Sequence, residues 1–203
     1  MNLPKFKCRA SKAGILLTNP RSKSEALSKT VQSYCEEWVK TVIYGHEKEV
    51  KSKYLEKGKL LEDESIRLYS QYKNGLFLLK NDQRFDNEFF TGEPDVDDEI
   101  IYDFKNSWDA FTFPLFDEEA DPDHVAQVNV YMNLTGKTQA KVVYTLQNTP
   151  ESMHYVQQFD YSAVDLKYKI KEFDVAYNEE LIKTLEERVL LCREYIASIT
   201  KNL

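Results

Sequence analysis

The chain has 203 residues, of which 42% are hydrophobic and 13% aromatic, a composition that excludes a disordered protein and fits one globular domain. No segment approaches the roughly 18 apolar residues of a membrane span, and no apolar run near the N-terminus resembles a signal peptide. Three scattered cysteines (Cys8, Cys35 and Cys192) exclude a disulfide framework and a CxxC metal pair, so we expect a cytoplasmic protein.

The net charge of −7 is unevenly distributed. Residues 1–60 contain 13 Lys and Arg against 6 Asp and Glu, whereas residues 86–123 contain 14 Asp and Glu against Lys105 alone. A basic N-terminal third beside an acidic centre suits a polyanion-binding face next to a cation-loaded site. The alternative, with equal weight, is a basic helical face that is merely solvated.

The first 75 residues are predicted to be mainly helical. A helix from about Ser24 to Tyr44, with Ser22 or Ser24 as its cap, is expected to end at Gly45. Its apolar stripe consists of Leu27, Val31, Tyr34 and Trp38.

A second helix is predicted over residues 47–73, with an apolar stripe that consists of Val50, Tyr54, Leu61, Leu68 and Tyr72. Glu62 lies on or beside this stripe, because Gly58 precedes it by four residues and Ile66 follows it by four. The small Gly58 would let another group approach the carboxylate closely. The alternative is a glutamate at the rim of the stripe.

Beyond Asn74-Gly75 the pattern predicts strands at residues 76–79, 84–91 and 99–105. Asp103 and Lys105 point to the same face of the third strand, and the opposite face is apolar. Asp95 lies across an acidic turn at residues 97–98. Carboxylates beside a lysine suit Mg²⁺ binding and the orientation of a water molecule, whereas a solvated turn is the alternative.

Residues 106–120 are predicted to form a loop rich in aromatic side chains, which either stack on nucleobases or fill the core. Asp121 and Pro122 are typical of a helix start. In that helix His124, Gln127 and Tyr131 share one face, and Gly136 ends it.

The C-terminal part is predicted to contain strands at residues 141–147 and 151–160 and a closing helix over residues 178–199. The apolar stripe of this helix consists of Leu181, Leu185, Val189, Cys192 and Ile196. The element order predicts an α/β fold with a mixed central sheet flanked by helices.

Four motifs, in order along the chain, resemble those of the PD-(D/E)XK nuclease superfamily, in its RecB-like and phage lambda exonuclease-type branch. They are Gly58-Lys-Leu-Leu-Glu62, Pro94-Asp95, Asp103-Phe104-Lys105 and Gln127-Val-Asn-Val-Tyr131. The resemblance implies a restriction-endonuclease-like core of αβββαβ order. The three scattered cysteines exclude the iron–sulfur subtype, and the short spacing from Asp95 to Asp103 requires a bend that the sequence does not specify.

The resemblance also implies roles for these residues. Glu62, Asp95, Asp103 and the carbonyl of Phe104 would hold one or two Mg²⁺ or Mn²⁺ ions, and Lys105 would orient or activate the attacking water. Gln127 and Tyr131 would position the lysine and the scissile phosphate. The residues expected to contact the substrate are Arg9, Ser11, Arg21 and His124, the first three near a 5′ phosphate.

We therefore expect a single nuclease domain over residues 1–203. Residues 1–75 would form a basic, helical, DNA-facing part, residues 76–160 the sheet core, and residues 161–203 a helical packing segment. The resemblance implies a metal-dependent exonuclease that acts on DNA ends in phage-type recombination or replication. Its expected partners are DNA with a free end and a single-strand-binding or annealing protein. We expect no association with a membrane, and the sequence is compatible with an oligomer.

Three alternatives remain. A structure- or sequence-specific endonuclease would have the same motifs, and a DNA-binding module could have lost catalysis. A small-molecule metallohydrolase ranks last, because the chain lacks a His-rich ligand spacing.

Overall fold

The structure is a computed structural model that describes residues 3–49 and 51–203. Its helices are α1 (Ala13–Leu16), α2 (Lys29–Tyr44), α3 (Lys53–Tyr72), α4 (Pro122–Thr135) and α5 (Glu179–Thr200). Its strands are β1 (Cys8–Arg9), β2 (Phe85–Asp86), β3 (Phe90–Gly92), β4 (Val96–Asp97), β5 (Ile101–Ser107), β6 (Gln139–Leu146) and β7 (Ile170–Ala176). Short 3₁₀ turns cover Ala10–Lys12, Glu151–Met153 and Leu166–Tyr168.

Helix α2 begins later than predicted. The Ser28 hydroxyl accepts a hydrogen bond from the Val31 N–H and is the N-cap, whereas the hydroxyls of Ser22 and Ser24 bond to each other in the preceding turn. The predicted end at Gly45 is confirmed, and this glycine adopts a left-handed φ of 70°.

Helix α3 also begins later, at Lys53 rather than at residue 47. Before it, Glu47 pairs with Arg9 and Lys48 pairs with Glu37, so these side chains join other parts of the molecule. The predicted stripe residue Val50 lies outside the described residues.

The first two predicted strands are wrong in detail. Residues 76–80 are extended but form no ladder with the described part of the chain. Residues 84–91 form a hairpin of β2 and β3, because the side-chain Oδ1 of Asn87 accepts hydrogen bonds from the Phe89 and Phe90 N–H groups and turns the chain. Strands β1, β3 and β2 make a small sheet in that order.

A second sheet has the order β4-β5-β6-β7, in which β5 and β6 are parallel and the outer pairs antiparallel. Helix α4 provides the crossover between the two parallel strands. The predicted α/β class with a mixed sheet flanked by helices is confirmed, with the strands divided between two sheets.

Strand β5 is buried on both faces. Ile101 belongs to the larger core, to which α1, α2, α4 and α5 also contribute. Tyr102 and Phe104 point to the opposite face and pack with Ile66 and Tyr69 of α3 in a second core. The polar side chains of β5 are therefore held between two packed layers.

The strand predicted at residues 151–160 is wrong, because a 3₁₀ turn and a closed loop occupy this segment. The Thr149 N–H donates to the Phe159 carbonyl, and the Phe159 N–H donates to the Thr149 hydroxyl, which closes the loop. The last strand is β7 instead. The closing helix is confirmed as α5, which Asn178 caps and which packs against α2 and α4.

Within the described residues, no helix combines the length and apolarity that a membrane crossing requires.

Candidate active site

The hairpin of β4 and β5 places Asp95 opposite Asp103. Val96 pairs with Tyr102 and Asp97 pairs with Ile101, so the same register extended by one residue aligns the two carboxylates. The turn contains residues 98–100 rather than two residues. The Asp95 Oδ2 accepts a hydrogen bond of 2.6 Å from the Phe104 N–H, which fixes the carboxylate against β5. The bend that the sequence left unspecified is thus a short antiparallel ladder.

Asp103 and Lys105 lie side by side on the same face of β5. The Asp103 side chain is fully buried, and the Lys105 Nζ lies 2.7 Å from its Oδ2. Pairing with β6 along the whole strand fixes the backbone that carries both residues. The alternation of side chains predicted this pair.

Gln127 of α4 connects the other groups. Its Nε2 donates to the Asp103 Oδ1 at 3.1 Å and to the Tyr131 hydroxyl at 2.9 Å, and its Oε1 accepts from the Lys105 Nζ at 3.1 Å. This arrangement requires a side chain that both donates and accepts, which an amide does and a carboxylate does not. The predicted polar face of α4 thus meets the predicted polar face of β5.

The charges in this cluster perturb one another. Burial and the neighbouring Asp103 raise the pKa of the Asp95 carboxyl above its ordinary value. Burial alone would lower the pKa of Lys105, but the charges of Asp103 and Asp95 outweigh burial and raise it. Lys105 is therefore protonated.

Two buried polar atoms in the described chain have no hydrogen-bond partner, namely the Asp103 Oδ2 and the Asn106 Oδ1. The first lies beside the Lys105 ammonium without hydrogen-bond geometry, and both belong to β5. The two oxygens lie on opposite faces of β5, since Asp103 faces Gln127 of α4 and Asn106 bonds to Ser65 of α3.

Glu62 of α3 lines the same cleft, but it pairs with Lys80 rather than with Lys105. Its carboxylate lies 3.1 Å from the Nζ of Lys80, which also bonds to Asp63 at 2.7 Å. Among the described residues, no three His, Cys, Asp or Glu side chains converge closely enough to hold a metal ion. Asp95 and Asp103 are adjacent, and Glu62 approaches them from across the cleft.

His124 is held beside this cluster rather than in it. Its Nδ1 lies 2.6 Å from the Tyr144 hydroxyl, with the donor set by the histidine tautomer. Burial and the positive charge of Lys105 lower the pKa of His124, so the ring is neutral near pH 7.

These residues surround one cleft of about 720 Å³ between α3, the β4–β5 hairpin and the start of α4. Its lining includes Ser11, Tyr54, Gly58, Lys59, Glu62, Asn81, Asp95, Phe104, Lys105, Asn106, Trp108, Thr112, His124 and Tyr144. A side chain added at Gly58 would meet no atom within 4 Å, so the glycine leaves this wall open.

The other predicted substrate contacts are more dispersed. Arg9 lines a smaller depression with Ser11 and Tyr131, and Ser11 belongs to both this depression and the cleft. Arg21 lies in the exposed turn before α2, outside the lining of both.

Sequence reasoning missed several residues that shape the site. The Asn81 side chain donates to the Pro94 carbonyl at 3.0 Å, and its backbone N–H donates to the Asp95 carbonyl at 2.8 Å, so Asn81 holds the Pro94-Asp95 segment in place. Lys80, the partner of Glu62, directly precedes it. Tyr144 could have been found, because its position in the alternating strand β6 was predicted, but its hydroxyl was not assigned a partner.

No family model and no curated protein matches the chain. Among solved structures, the chain is similar to a phage-related exonuclease from Haemophilus somnus 129PT, with 28% identity and a TM-score of 0.85 over 98% of this chain and 96% of that one. It is also similar to an alkaline exonuclease, LHK-Exo from Laribacter hongkongensis, with 15% identity and a TM-score of 0.72 over 96% and 90% of the two chains.

A structure of LHK-Exo in complex with dAMP gives the same TM-score of 0.72 at 16% identity. The similarity to LHK-Exo establishes a shared fold. The similarity to the phage-related exonuclease extends over nearly the whole of both chains. Together these similarities confirm the predicted resemblance to lambda exonuclease-type PD-(D/E)XK nucleases.

Proposed function

Because the chain shares the fold of the phage-related and alkaline exonucleases, we propose that it is a metal-dependent DNA exonuclease that hydrolyses phosphodiester bonds at DNA ends. The observation that carries this proposal is the cluster of Asp95, Asp103, Lys105 and Gln127, of which Asp95 and Lys105 line the cleft and the other two are buried behind it. Each group would have a role in attack of water on a phosphodiester, and each belongs to one of the motifs that resemble those of the family.

The donor set fits a hard divalent cation. Asp95 and Asp103 offer carboxylate oxygens, one of them buried without a hydrogen bond, and the repulsion between the two carboxylates would be relieved by a cation. The Phe104 carbonyl and Glu62 would complete the set for one or two Mg²⁺ or Mn²⁺ ions. When bound, such an ion stabilises the charge that develops on the attacking and leaving oxygens.

The residues of the chain would orient the reactants. Protonated Lys105 pairs with Asp103 and donates to Gln127, and its third N–H group would donate a hydrogen bond to the attacking water, while its positive charge would stabilise the negative phosphate. Gln127 fixes the relative orientation of the Lys105 and Asp103 side chains through its hydrogen bonds to both, and Tyr131 fixes the orientation of Gln127. The water oxygen forms a bond to phosphorus and gives up a proton to solvent, while the bond from phosphorus to the leaving nucleotide oxygen breaks and that oxygen takes up a proton.

Arg9 and Ser11 would contact a phosphate at the DNA end, since their depression adjoins the cleft. Arg9 is paired with Glu47, so a phosphate would have to compete with this carboxylate. His124 would contact the substrate from the α4 side of the cleft, and Arg21 from outside it. The basic N-terminal third would attract the polyanion, and the bound cations would offset the acidic centre.

Action on ends is favoured over internal cleavage by two neighbours that are exonucleases, one of them in complex with a mononucleotide. The protein would act in the cytoplasm, or in the host cytoplasm if it is encoded by a phage. A single-strand-binding or annealing protein would receive the strand that is left.

The test is degradation of linear duplex DNA in Mg²⁺, with and without a 5′ phosphate, and with closed circular DNA as the control. We expect linear DNA to be degraded, circular DNA to survive, and EDTA to stop the reaction. Cleavage of the circular substrate would support the endonuclease alternative. Binding of DNA without cleavage in Mg²⁺ or Mn²⁺ would support the inactive binding module.

Metal binding is tested separately by calorimetric titration with Mn²⁺. The wild type is expected to bind, and Asp103→Asn is expected to bind at least tenfold more weakly, because a carboxylate ligand is lost. Equal binding by both proteins would remove Asp103 from the metal site.

A further inference from the structure

The turn at residues 109–112 holds one aromatic side chain out into solvent. Phe111 is 96% exposed, yet the backbone around it is firmly bonded. The Asp109 Oδ1 accepts hydrogen bonds from the N–H groups of Phe111 and Thr112 at 3.0 and 2.9 Å, and the Asp109 N–H donates to the Thr112 hydroxyl at 3.0 Å. The Ala110 N–H donates to the Tyr161 hydroxyl at 3.0 Å, which anchors the turn to another segment.

This turn is part of the wall of the cleft. It follows directly from β5, the strand that carries Asp103 and Lys105. Trp108 and Thr112, on either side of the exposed ring, both line the cleft. Phe111 is therefore displayed at the edge of the cleft, on the turn that follows the strand of the proposed reaction centre.

The charges on the two sides of the cleft favour contacts to phosphates on one side and contacts to bases on the other. The carboxylate of Asp109, within the turn itself, makes this side unfavourable for phosphates but does not oppose an uncharged base. The other wall of the cleft, α3, provides Lys59 in the lining and Lys53, whose Nζ lies 4.4 Å from the Trp108 ring centre. A strand in the cleft would turn its phosphates towards α3 and its bases towards the turn.

The neighbouring aromatic residues have other roles. Phe113 is buried in the larger core, so the interpretation that the loop fills the core holds for this ring. Phe116 is 90% exposed but lies beyond the bonded turn, and neither Phe111 nor Phe116 is itself among the residues that line the cleft. Phe111 is thus distinguished not by its exposure but by its anchored turn, which lies between the lining residues Trp108 and Thr112.

We propose that Phe111 is a positioning residue that stacks on a nucleobase of the DNA strand in the cleft. The inference rests on the proposed nuclease function. Stacking of an aromatic ring on a base tolerates any sequence, because every base has a π-face. Such a contact would set the position of the strand along the cleft, and with it the phosphate that faces Lys105.

The test uses Lys105→Ala, which prevents cleavage, and duplexes with 2-aminopurine near one end. Binding is expected to quench the fluorescence of the analogue at one position. In this background Phe111→Ala is expected to abolish the quenching and to weaken binding about tenfold, whereas Phe111→Trp retains both and Phe116→Ala changes neither. In the otherwise wild-type enzyme, Phe111→Ala is expected to raise KM more than it lowers kcat.

Quenching and affinity that are unchanged by Phe111→Ala would overturn the inference and leave the proposed function standing. Equal losses from Phe116→Ala would also overturn it, because any exposed aromatic side chain would then suffice. If the wild type neither binds nor degrades DNA, the proposed function itself fails, and the role of Phe111 fails with it.

Discussion

Two lysines, one buried and one half-buried, have different kinds of partner, and the difference separates a structural role from a chemical one. Lys57 of α3 is fully buried, and its Nζ donates to three backbone carbonyls, those of Ser107, Trp108 and Gln147, at 3.1, 2.9 and 2.8 Å. The side chain of Lys105 is 23% exposed, and its partners are the side chains of Asp103 and Gln127.

The two ammonium groups differ in how many N–H groups remain free to donate to a ligand. All three protons of Lys57 are used by fixed carbonyls, so this residue joins α3 to the segments that follow β5 and β6. Lys105 has two partners in the described chain and faces a cleft, so it can donate to a ligand. Burial lowers the pKa of Lys57, whereas the carboxylates raise that of Lys105. A buried lysine whose three N–H groups all have backbone partners indicates a structural link. A lysine beside carboxylates that has an N–H group left for a ligand indicates a binding or catalytic site.

The largest effect is expected from Lys105→Ala, which should lower turnover on linear DNA by roughly 10³-fold, because the group that orients the water and opposes the phosphate charge is lost. Circular dichroism should show that the protein remains folded. A variant that retains wild-type turnover would contradict the assignment of Lys105.

Lys57→Met is expected to have the opposite profile. It leaves three buried carbonyls without a donor and should lower the free energy of unfolding by about 2–4 kcal/mol, while turnover per folded molecule stays within about threefold. Urea unfolding measures the loss. Lys59→Met, on the exposed side of the same helix, is the control and should change stability by less than about 0.5 kcal/mol. Equal stability of the two variants would refute the structural role.

Tyr131→Phe tests an indirect effect on Lys105, because it removes a hydrogen bond to Gln127, which holds the lysine, without removing any charge. The hydroxyl accepts a hydrogen bond from Gln127, so its loss should reduce kcat only about two- to tenfold. Steady-state kinetics with linear duplex DNA measures this reduction. A loss as large as that of Lys105→Ala would assign Tyr131 a direct role in the reaction.

The smallest effect is expected from Lys80→Ala, which removes a third, half-exposed lysine that pairs with Glu62 and Asp63. Because such exposed pairs contribute little, stability should change by less than about 1 kcal/mol. Freed Glu62 would bind metal more readily, so the Mg²⁺ concentration for half-maximal activity should fall a few fold. A rise in that concentration would show that Lys80 supports the site.

The two lysines also show how far the sequence could predict this molecule. Asp103 and Lys105 were found because alternation along a strand is a local property, and Gln127 and Tyr131 because helical spacing is local too. The role of Lys57 depends on carbonyls about 50 and 90 residues away. A weak signal existed, since Lys57, Ser65 and Tyr69 lie four or eight residues apart and share the buried face of α3.

Similar limits apply to the strands. Residues 76–79 are apolar, as in a strand, but no neighbouring strand in the described chain pairs with them, and pairing is a tertiary property. Residues 151–160 are bent by the bonds between Thr149 and Phe159, which the local pattern does not contain. The alignment of Asp95 with Asp103 also required the observed register, because a shift of one residue would have turned the carboxylate away.

The most direct test of the central claim is the turnover of linear duplex DNA in Mg²⁺ per folded molecule, measured side by side for Lys105→Ala and Lys57→Met. We expect turnover below about 0.1% of wild type for the first variant and within about threefold of wild type for the second. Comparable turnover by the two variants, or a greater loss with Lys57→Met, would contradict the assignment of the catalytic centre to Asp103 and Lys105.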